Sequence, residues 1–391
     1  GGHVNDAGRQ CRVILDQAVT ATDPDLARAT FELTRALIES APRGTAVAGI
    51  APAGEFEPFR GMADVWRSPL NRARLSAAWQ LGMASGVGGG LIHSPTLLAP
   101  LVRHDRANDS DQTVVTLWGL DPWLSPAGLP RAHVAAQRTM LARAARHADA
   151  VIVPSHAVAE GLAGIKRFSD RVRVIPGAAP VAFCVPTDAA ARRRDLALPN
   201  QYAVIINGPG VAARAGVLAA LRAVAGEPEL MALVLGDAGG TVPARPASDA
   251  EHLAISVNAD DVVALAVEAG LSPERIVVPD LSNSGDRAAA LEGAVAVISV
   301  GTSTAHPWRL LESLTAGAVI IASSTALNAE LLVDGAHFVD AGDDDALRDA
   351  LRAVREDARM AERLRIHAGD RSHAFAWRDT AERVWALHAD L

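Results

Sequence analysis

Short runs of β-branched and other apolar residues alternate with longer runs rich in Ala, Leu and Arg along almost the whole chain. Several of the short runs, residues 295–300 and 318–322 among them, are apolar at almost every position rather than at alternate positions. Such runs are typical of strands in a sheet that is covered on both faces, whereas the longer runs have the length and periodicity of helices. Strands and helices that alternate in this way predict doubly wound parallel sheets.

The predicted strands fall into two series, each sufficient for one sheet. The first series comprises residues 12–16, 46–50, 90–92, 113–117, 150–153 and 171–175. The second series comprises residues 203–207, 231–236, 275–278, 295–300, 318–322 and 337–339. The clearest predicted helices are residues 25–39, 131–147, 345–355 and 377–388. Thr22 or Asp23 is placed to cap the first of these helices.

The boundary between the two units is marked by a linker composition around one short charged helical segment. Its turn-forming residues are Pro176, Gly177, Pro180, Pro186 and Pro199. We therefore assign residues 1–183 to an N-terminal Rossmann-like domain and residues 184–375 to a C-terminal Rossmann-like domain, and we expect a helix at residues 376–391 to complete the first. Two domains fit a chain of 391 residues, since one domain typically takes about 100–200.

The composition excludes several classes of protein. A formal net charge of −8 argues against a nucleic-acid binder. Two cysteines exclude a disulfide scaffold and a Cys-rich zinc module, and no His, Asp and Glu cluster has metal-ligand spacing. The longest stretch without a charged side chain, residues 75–102, is interrupted by Gly and Pro and does not predict a membrane span. The first residues lack the apolar core of a signal peptide, so we expect a cytoplasmic protein.

A candidate phosphate site follows the predicted strand at residues 295–300. A small polar loop, residues 301–306, leads into a helix that begins at Pro307, and Gly317 is placed to end that helix. Free amides at the carboxyl end of a parallel strand, together with the positive end of a helix dipole, favour a diphosphate. The residues expected to bind it include Thr302, Ser303, His306 and Trp308.

The same region carries a family resemblance. Residues 307–323 read PWRLLESLTAGAVIIAS, which resembles a glutamate-bearing helix, a Gly turn and a buried strand of the retaining GT4 glycosyltransferases, a family with many mannosyltransferases. Further segments match that family in order and spacing, namely residues 90–95, 148–155, 172–177, 328–330, 337–343 and 375–377. The resemblance implies the GT-B fold, two Rossmann-like domains that face a cleft.

The resemblance also implies an activity. It is the transfer of a hexose, with mannose as one candidate, from a nucleotide sugar such as GDP-mannose or a UDP-sugar, with retention and without a metal or other cofactor. The acceptor would be a carbohydrate or a lipid-linked molecule. A protein partner and peripheral contact with the inner face of the membrane are left open. Trp66 and Trp79, among several arginines, either pack in the core or form an acceptor- or membrane-facing patch.

Individual roles follow from the matching positions. The resemblance implies that Glu312 accepts hydrogen bonds from the donor ribose, and that Arg214, in the loop that begins at Gly208, grips the diphosphate. Arg214 could instead be a solvated residue at the start of a helix. Arg309 either faces the diphosphate or points to solvent or pairs with Glu312. His93 either approaches the sugar or ends its strand with a hydrogen bond.

Three departures from the family pattern motivate a second hypothesis. Thr304 stands where the family has its first signature glutamate, Trp118 replaces a histidine of the first domain, and Pro209 replaces an arginine. A hydroxyl cannot supply a carboxylate's charge, and an indole cannot shuttle protons. An active enzyme would use Thr304, Trp118 and His93 around the sugar. The alternative is a catalytically silent relative that serves as a structural or regulatory partner of an active glycosyltransferase.

Overall fold

The computed structural model describes residues 9–104, 110–236 and 259–391, which form two parallel sheets. In these residues the first sheet has seven strands in the order β3-β2-β1-β4-β5-β6-β7. They are β1 (Arg9–Ile14), β2 (Thr45–Ala51), β3 (Val65–Arg67), β4 (Leu91–His93), β5 (Gln112–Thr116), β6 (Ala150–Val153) and β7 (Val172–Val174). The second has six in the order β10-β9-β8-β11-β12-β13. They are β8 (Tyr202–Ile206), β9 (Met231–Leu235), β10 (Ile276–Val277), β11 (Ala296–Ser299), β12 (Ile320–Ser323) and β13 (His337–Val339).

Helices cover both faces of each sheet. Those associated with the first sheet are α1 (Asp16–Val19), α2 (Pro24–Glu39), α3 (Arg72–Gln80), α4 (Asp121–Leu124), α5 (Arg131–His147) and α6 (His156–Ala163). Those that follow are α7 (Ala189–Asp195), α8 (Gly210–Ala225), α9 (Ala259–Ala269), α10 (Ser284–Gly293), α11 (Trp308–Thr315), α12 (Ala326–Leu332), α13 (Asp344–Glu356), α14 (Ala358–Ser372) and α15 (Trp377–Asp390). A 3₁₀ turn spans Pro273–Arg275.

The predicted fold class is confirmed, and each of the twelve predicted strands coincides with a strand of the structure. One strand, β3, was not predicted. It is only three residues long, Val65-Trp66-Arg67, and it lies at the edge of the first sheet. So short a segment carries no periodicity by which the sequence could reveal it.

Two-sided burial explains the apolar runs. In β8, Ala203 and Ile205 point into one core cluster of the second sheet, whereas Tyr202 and Val204 point into the cluster on its other face. Successive side chains of a strand alternate between faces, so a strand covered on both sides needs apolar residues at consecutive positions. The β6 strand of the first sheet has the same arrangement between its own two clusters.

The final helix packs on the first sheet's side of the molecule. Trp377, Val384 and Trp385 of α15 belong to the core cluster that also contains residues of β1 and α2. The indole Nε1 of Trp385 donates to the Leu37 carbonyl oxygen at 3.2 Å. The aromatic and aliphatic face of α15 is therefore buried against the domain from which it is most distant in sequence.

Both sheets contain a switch point at which the chain reverses its direction of winding. The order 3-2-1-4-5-6 places β1 beside β4 in the first sheet and β8 beside β11 in the second. In open α/β sheets, ligands bind outside the carboxyl ends of the strands at this point. The loops that follow β1, β4, β5, β8 and β11 are thus the expected location of a site.

Two further expectations concern surfaces. Trp79 is buried in a core cluster, and Trp66 is half-buried against the same cluster. Core packing therefore accounts for both indoles. Among the residues described, no helix combines the length and the apolar character needed to cross a bilayer.

Candidate functional site

One cavity lies at the switch point of the second sheet. This loop cavity has a volume of about 710 Å³ and is lined by the segments that follow β8, β9, β11 and β12. The predicted donor residues Gly208, Ser303, His306, Trp308 and Arg309 all line it. Thr302 is exposed and is not among the lining residues. The structure thus brings together five of the residues that the sequence predicted to bind a nucleotide sugar.

Glycine allows the two loops of this cavity to approach one another. A Cβ atom at Gly216 of α8 would lie 2.5 Å from the Gly301 amide nitrogen, so no larger residue fits there. Gly210, at the start of α8, has a φ of +82°, a conformation that other residues adopt only with strain. At the far end of the polar loop's helix, Gly317 follows the last turn of α11 with a φ of +63°, as its predicted role in ending that helix requires.

The polar loop before α11 binds a carboxylate from the other domain. Asp121 Oδ1 accepts hydrogen bonds from the Thr304 amide and the Thr304 hydroxyl, both at 2.6 Å. Its Oδ2 accepts one from the Ser303 hydroxyl at 2.5 Å. Asp121 is 4% exposed and begins α4, 182 residues before Ser303. The loop therefore offers hydrogen-bond donors to an anionic group, and in the structure these donors bind this chain's own carboxylate.

Other backbone groups reinforce this contact between the domains. A Cβ atom at Gly119 would lie 2.6 Å from the Thr304 carbonyl oxygen, so the two chain segments touch without an intervening side chain. The Val211 amide in the first turn of α8 donates to the Ala127 carbonyl oxygen at 3.0 Å. The first domain thus supplies hydrogen-bond partners to both loops of the loop cavity.

A third interdomain contact lies at the start of α6. The two carboxylate oxygens of Glu330, on α12, accept hydrogen bonds from the His156 and Ala157 amides at 2.7 and 2.8 Å. A carboxylate at a helix N-terminus is favourable because it satisfies free amides and complements the helix dipole. Glu330 and Asp121 thus both join the two domains through hydrogen bonds.

Aromatic rings line the gap between the domains. The rings of Trp118 and His306 have centroids 5.1 Å apart, and Trp308 lies 4.9 Å from Trp118 and 4.3 Å from His306. Trp308 also stacks on Trp377 at 6.4 Å. The Trp118 Nε1 donates to the Pro95 carbonyl oxygen at 2.8 Å, which fixes its orientation. Trp118 and His306 come from different domains, so this aromatic cluster joins the two domains.

His306 is the unusual member of the cluster. It is only 8% exposed, and neither of its ring nitrogens has a hydrogen-bond partner among the described residues. Burial lowers the pKa of His306 to about 3, so the imidazole is neutral at physiological pH. A neutral imidazole carries one donor and one acceptor, and leaving both unsatisfied in a buried place is unfavourable. A ligand hydroxyl is a group that could satisfy either nitrogen.

A second cavity lies on the first domain's side of this cluster. This interdomain cavity, of about 750 Å³, is lined by the segments that follow β1, β4 and β5 together with part of the second domain's loops. It shares Pro209, Ala305, His306 and Trp308 with the loop cavity. It continues, through Asp23, Thr96, His133 and Gln137, into a cavity of about 590 Å³ between α2 and α5. The two cavities are thus separated by one common wall, formed by these four shared residues.

Glu312 lies in a buried ion-pair network rather than in the wall of the loop cavity. It is 1% exposed, and its carboxylate accepts from Arg287 Nε at 2.9 Å and Nη2 at 2.7 Å. Arg309 Nε lies 3.0 Å from Glu312 Oε1, and the Arg309 guanidinium also pairs with Asp25 at the start of α2. Glu312 and both arginines line a small cavity of about 290 Å³. Of the environments expected for Arg309, the structure shows the pairing with Glu312, and Arg309 also lines the loop cavity, where the diphosphate was expected.

Arg214 and His93 lie outside the two large cavities. Arg214 is half exposed and pairs with Glu268 of α9 at 2.7 Å. His93 is fully buried at the end of β4, where its Nδ1 lies 3.2 Å from Nε2 of His388. Nδ1 of His388 in turn lies 3.2 Å from Gln112 Oε1. Burial, and then the neighbouring His388, lowers the pKa of His93, so that this chain of polar groups in the core is uncharged.

Three charged residues of the site were not predicted. Asp121, Asp25 and Arg287 each contact a predicted residue, but they lie 182, 284 and 25 positions from it. The only local signal is at Asp121 and Asp25, which each stand in the first turn of a helix, a common place for an acidic residue. Within the described parts of the chain, no group of three or more His, Cys, Asp and Glu side chains is placed to hold a metal ion.

Solved structures similar to this chain share its two-domain architecture. Sucrose-phosphate synthase from Thermosynechococcus elongatus is 19% identical, with 98% of each chain covered and a TM-score of 0.74. HepE of Anabaena in complex with UDP is 15% identical, with 98% of this chain and 100% of that chain covered and a TM-score of 0.67. WaaG, a glycosyltransferase involved in lipopolysaccharide biosynthesis, is 12% identical, with 96% and 98% covered and a TM-score of 0.66.

The chain has the GT-B fold. No protein-family model matches the sequence, and no curated protein sequence matches it. The identities to the solved structures are low, and the shared property is the fold: two Rossmann-like domains whose switch points face one another. In this GT-B protein the loop cavity belongs to the second domain, and the interdomain cavity lies towards the first.

Proposed function

We propose that this protein is a glycosyltransferase that transfers a hexosyl group from a nucleotide diphosphate sugar to an acceptor. The observation that carries the proposal is the wall shared by two cavities, formed by Pro209, Ala305, His306 and Trp308. Group transfer needs a donor and an acceptor held side by side, so that their reacting atoms meet without diffusion. The similar HepE was solved with UDP and with UDP-glucose, which supports a nucleotide sugar as the donor.

The loop cavity suits the donor. Its diphosphate would bind beside the polar loop that precedes α11, with Arg309 as the neighbouring cation. The sugar would lie against the common wall, where Trp308, packed on Trp118, offers an apolar face to its C–H groups and His306 offers a donor and an acceptor to its hydroxyls. Transfer with retention and without a metal ion, with mannose among the candidate hexoses, completes the proposal.

Domain closure would assemble the site. The aromatic cluster and the contact between Asp121 and the polar loop both join residues of different domains, so an open form would lack these contacts and the first domain's side of the interdomain cavity. Closure that follows donor binding excludes water from the reacting sugar and so protects it from hydrolysis.

One group of observations favours the second candidate, a catalytically silent relative with a structural or regulatory role. Several groups expected to bind the donor already have partners within the chain: the Thr304 amide binds Asp121, the Val211 amide binds Ala127, and Glu312 binds Arg287. Such a protein would keep the closed form without any nucleotide.

Calorimetric titration of the protein with UDP and GDP, followed by measurement of slow hydrolysis of their sugars, separates the two candidates. The transferase proposal predicts binding of one nucleotide and release of sugar from its diphosphate. It also predicts that Trp308→Ala reduces hydrolysis by at least about tenfold, since that indole forms part of the common wall. Trp66→Ala, outside both cavities, is the matched control. Failure of both nucleotides to bind would overturn the transferase proposal and support the silent relative.

A further inference from the structure

One histidine of the common wall faces both cavities and has no partner in the protein. His306 lines the loop cavity and the interdomain cavity alike. It is more than nine-tenths buried, and both of its ring nitrogens lack a hydrogen-bond partner among the described residues. Buried polar groups without partners are rare in folded proteins, and each calls for an explanation. The position of this imidazole indicates a role in the chemistry between the two cavities.

The ring is held by contacts that do not use its nitrogens. Its centroid lies 4.3 Å from that of Trp308, with an angle of 73° between the ring planes, and 5.1 Å from that of Trp118. The Trp118 Nε1 donates to the Pro95 carbonyl oxygen and is therefore not the partner of the imidazole. Ring packing thus fixes the place of His306 and leaves both nitrogens to bound molecules.

His306 is also the one titratable side chain, among the described residues, that lines both cavities. The interdomain cavity has three others, Asp23, Asp121 and His133. The loop cavity has two others, Asp25 and Arg309. Neither set is shared between the cavities, and the indole of Trp308, which is shared, carries a donor but no acceptor. A proton that passes from one cavity to the other through a side chain of the common wall would therefore pass through His306.

The imidazole is suited to passing a proton on rather than to holding one. Burial lowers the pKa of His306 to about 3, so a proton taken from a hydroxyl would not stay on the ring at neutral pH. The neutral ring carries a donor on one nitrogen and an acceptor on the other. It can accept a proton at one nitrogen while it releases a different proton from the other, and it remains uncharged at the end.

We infer that His306 relays the proton of the attacking hydroxyl to the leaving phosphate. The inference rests on the proposed transferase function. In the step, the hydroxyl oxygen bonds to the anomeric carbon, the bond from that carbon to the phosphate oxygen breaks, and its electron pair stays on the phosphate. The hydroxyl proton goes to one nitrogen of His306, and the proton of the other nitrogen goes to a phosphate oxygen.

Atoms and charge balance over the cycle. The nucleotide leaves with the relayed proton, and His306 ends as the other neutral tautomer, which exchange with water restores after the products have left. During transfer, the attacking hydroxyl and the phosphate replace the sugar's own hydroxyls as partners of the two nitrogens. The proton therefore crosses the common wall without a charged intermediate on the ring.

Two variants separate a proton relay from simple hydrogen bonding. His306→Gln keeps a donor and an acceptor, but a carboxamide does not exchange them between neutral tautomers as an imidazole does, and His306→Phe keeps only the ring. Hydrolysis of UDP-glucose and GDP-mannose is measured, with water as the attacking hydroxyl. In both variants kcat should fall by at least about 100-fold, since positioned proton transfer typically contributes about 10²–10⁴-fold. The Kd of the nucleotide, measured by calorimetry, should change by less than about threefold.

A matched control and a measurement without mutation complete the test. His373→Gln, on an exposed histidine outside both cavities, should leave kcat unchanged, and thermal melts check the folding of each variant. In mixtures of water and deuterium oxide, kcat of the wild type should follow a curve, because two protons move in the same step, whereas one moving proton or none gives a straight line.

The outcomes distinguish the relay from the proposed function. The relay is overturned if either variant retains more than about one hundredth of kcat, if the isotope plot is straight, or if the wild type binds a nucleotide but releases no sugar. Hydrolysis that His306→Gln retains and His306→Phe loses would assign hydrogen bonding alone to this residue. Failure of the wild type to bind either nucleotide would instead refute the transferase proposal, on which the relay depends.

Discussion

Replacement of Asp121 by asparagine is expected to strengthen the binding of UDP. The aspartate accepts three short hydrogen bonds from the polar loop that precedes α11, and that loop is where the diphosphate is proposed to bind. In Asp121→Asn the side-chain oxygen can still accept from the Thr304 amide, and the new amide group can donate to the Ser303 hydroxyl oxygen. The variant therefore removes one negative charge while it preserves the contact between the domains.

The size of the effect follows from the separation of the charges. A phosphate oxygen bound by the neighbouring amides would lie roughly 5–7 Å from the carboxylate, which at an effective dielectric constant of about 20 corresponds to a repulsion of about 2–3 kcal/mol per unit charge. Counter-ions and the three hydrogen bonds to Asp121 reduce this to about 1–2 kcal/mol. The dissociation constant of UDP should then fall by about 5- to 30-fold.

Isothermal titration calorimetry of the wild-type and variant proteins in low salt measures this change, and a thermal melt checks that both are folded. Asp345→Asn is the matched control, because that carboxylate is 84% exposed and lies outside the cavities. UDP binding that is unchanged or weaker in Asp121→Asn would refute the view that the aspartate and the diphosphate compete for the polar loop. An equal gain in the control would attribute the effect to net charge alone.

Three further predictions concern stability and closure. Arg287→Leu leaves Glu312 as a buried carboxylate without its bidentate partner, so the free energy of unfolding in urea should fall by about 3–5 kcal/mol. Burial lowers the pKa of His306 to about 3, so below pH 6.5 the unfolded chain binds a proton at this residue that the folded chain does not bind. The free energy of unfolding of the wild type should therefore fall between pH 7 and pH 5, and it should fall less steeply in His306→Gln, by up to about 1.4 kcal/mol per pH unit. Gly119→Ala puts a Cβ atom 2.6 Å from the Thr304 carbonyl oxygen, so small-angle scattering should show a larger radius of gyration than for the wild type.

Each of these three has an outcome that contradicts its premise. A loss of less than about 1 kcal/mol in Arg287→Leu would mean that Glu312 is solvated or has another adequate partner. Parallel pH profiles of the wild type and His306→Gln would mean that this imidazole titrates normally. An unchanged radius of gyration in Gly119→Ala would mean that the polar loop can shift without opening the domains.

Local pattern was sufficient for the secondary structure and much of the topology. The strand β8 is apolar at consecutive positions because its side chains point alternately into two cores. This apolar run of five adjacent residues is visible in the sequence. The sequence predicts Thr22 or Asp23 as the N-cap of α2. In the structure the N-cap is Asp23, whose carboxylate accepts hydrogen bonds from two amides of the first turn. Among the strands of the described residues, only β3 was not predicted, because a three-residue strand at a sheet edge is too short to show a periodic pattern.

The sequence predicted those parts of the candidate site that depend on residues close together in the chain. The polar loop at residues 301–306 joins a buried strand to a helix, so its position at the carboxyl edge of the sheet follows from the order of the elements alone. The partners that lie far away in the sequence could not be predicted from these local patterns. Arg214 and Glu312 had been assigned to the donor from matching positions, and the structure gives each of them an ionic partner from another helix, Glu268 and Arg287. Their roles towards a nucleotide remain predictions.

The amino-acid sequence by itself determined the alternation of strands and helices, the two parallel sheets and the placement of the polar loop at a helix N-terminus, because each depends on contacts within a few residues or on the period of burial. Only the tertiary structure decided that Asp121 binds the polar loop and that His306 lies between two cavities. Those features depend on how closely two domains approach, and the residues that meet there are more than a hundred positions apart and leave no local trace.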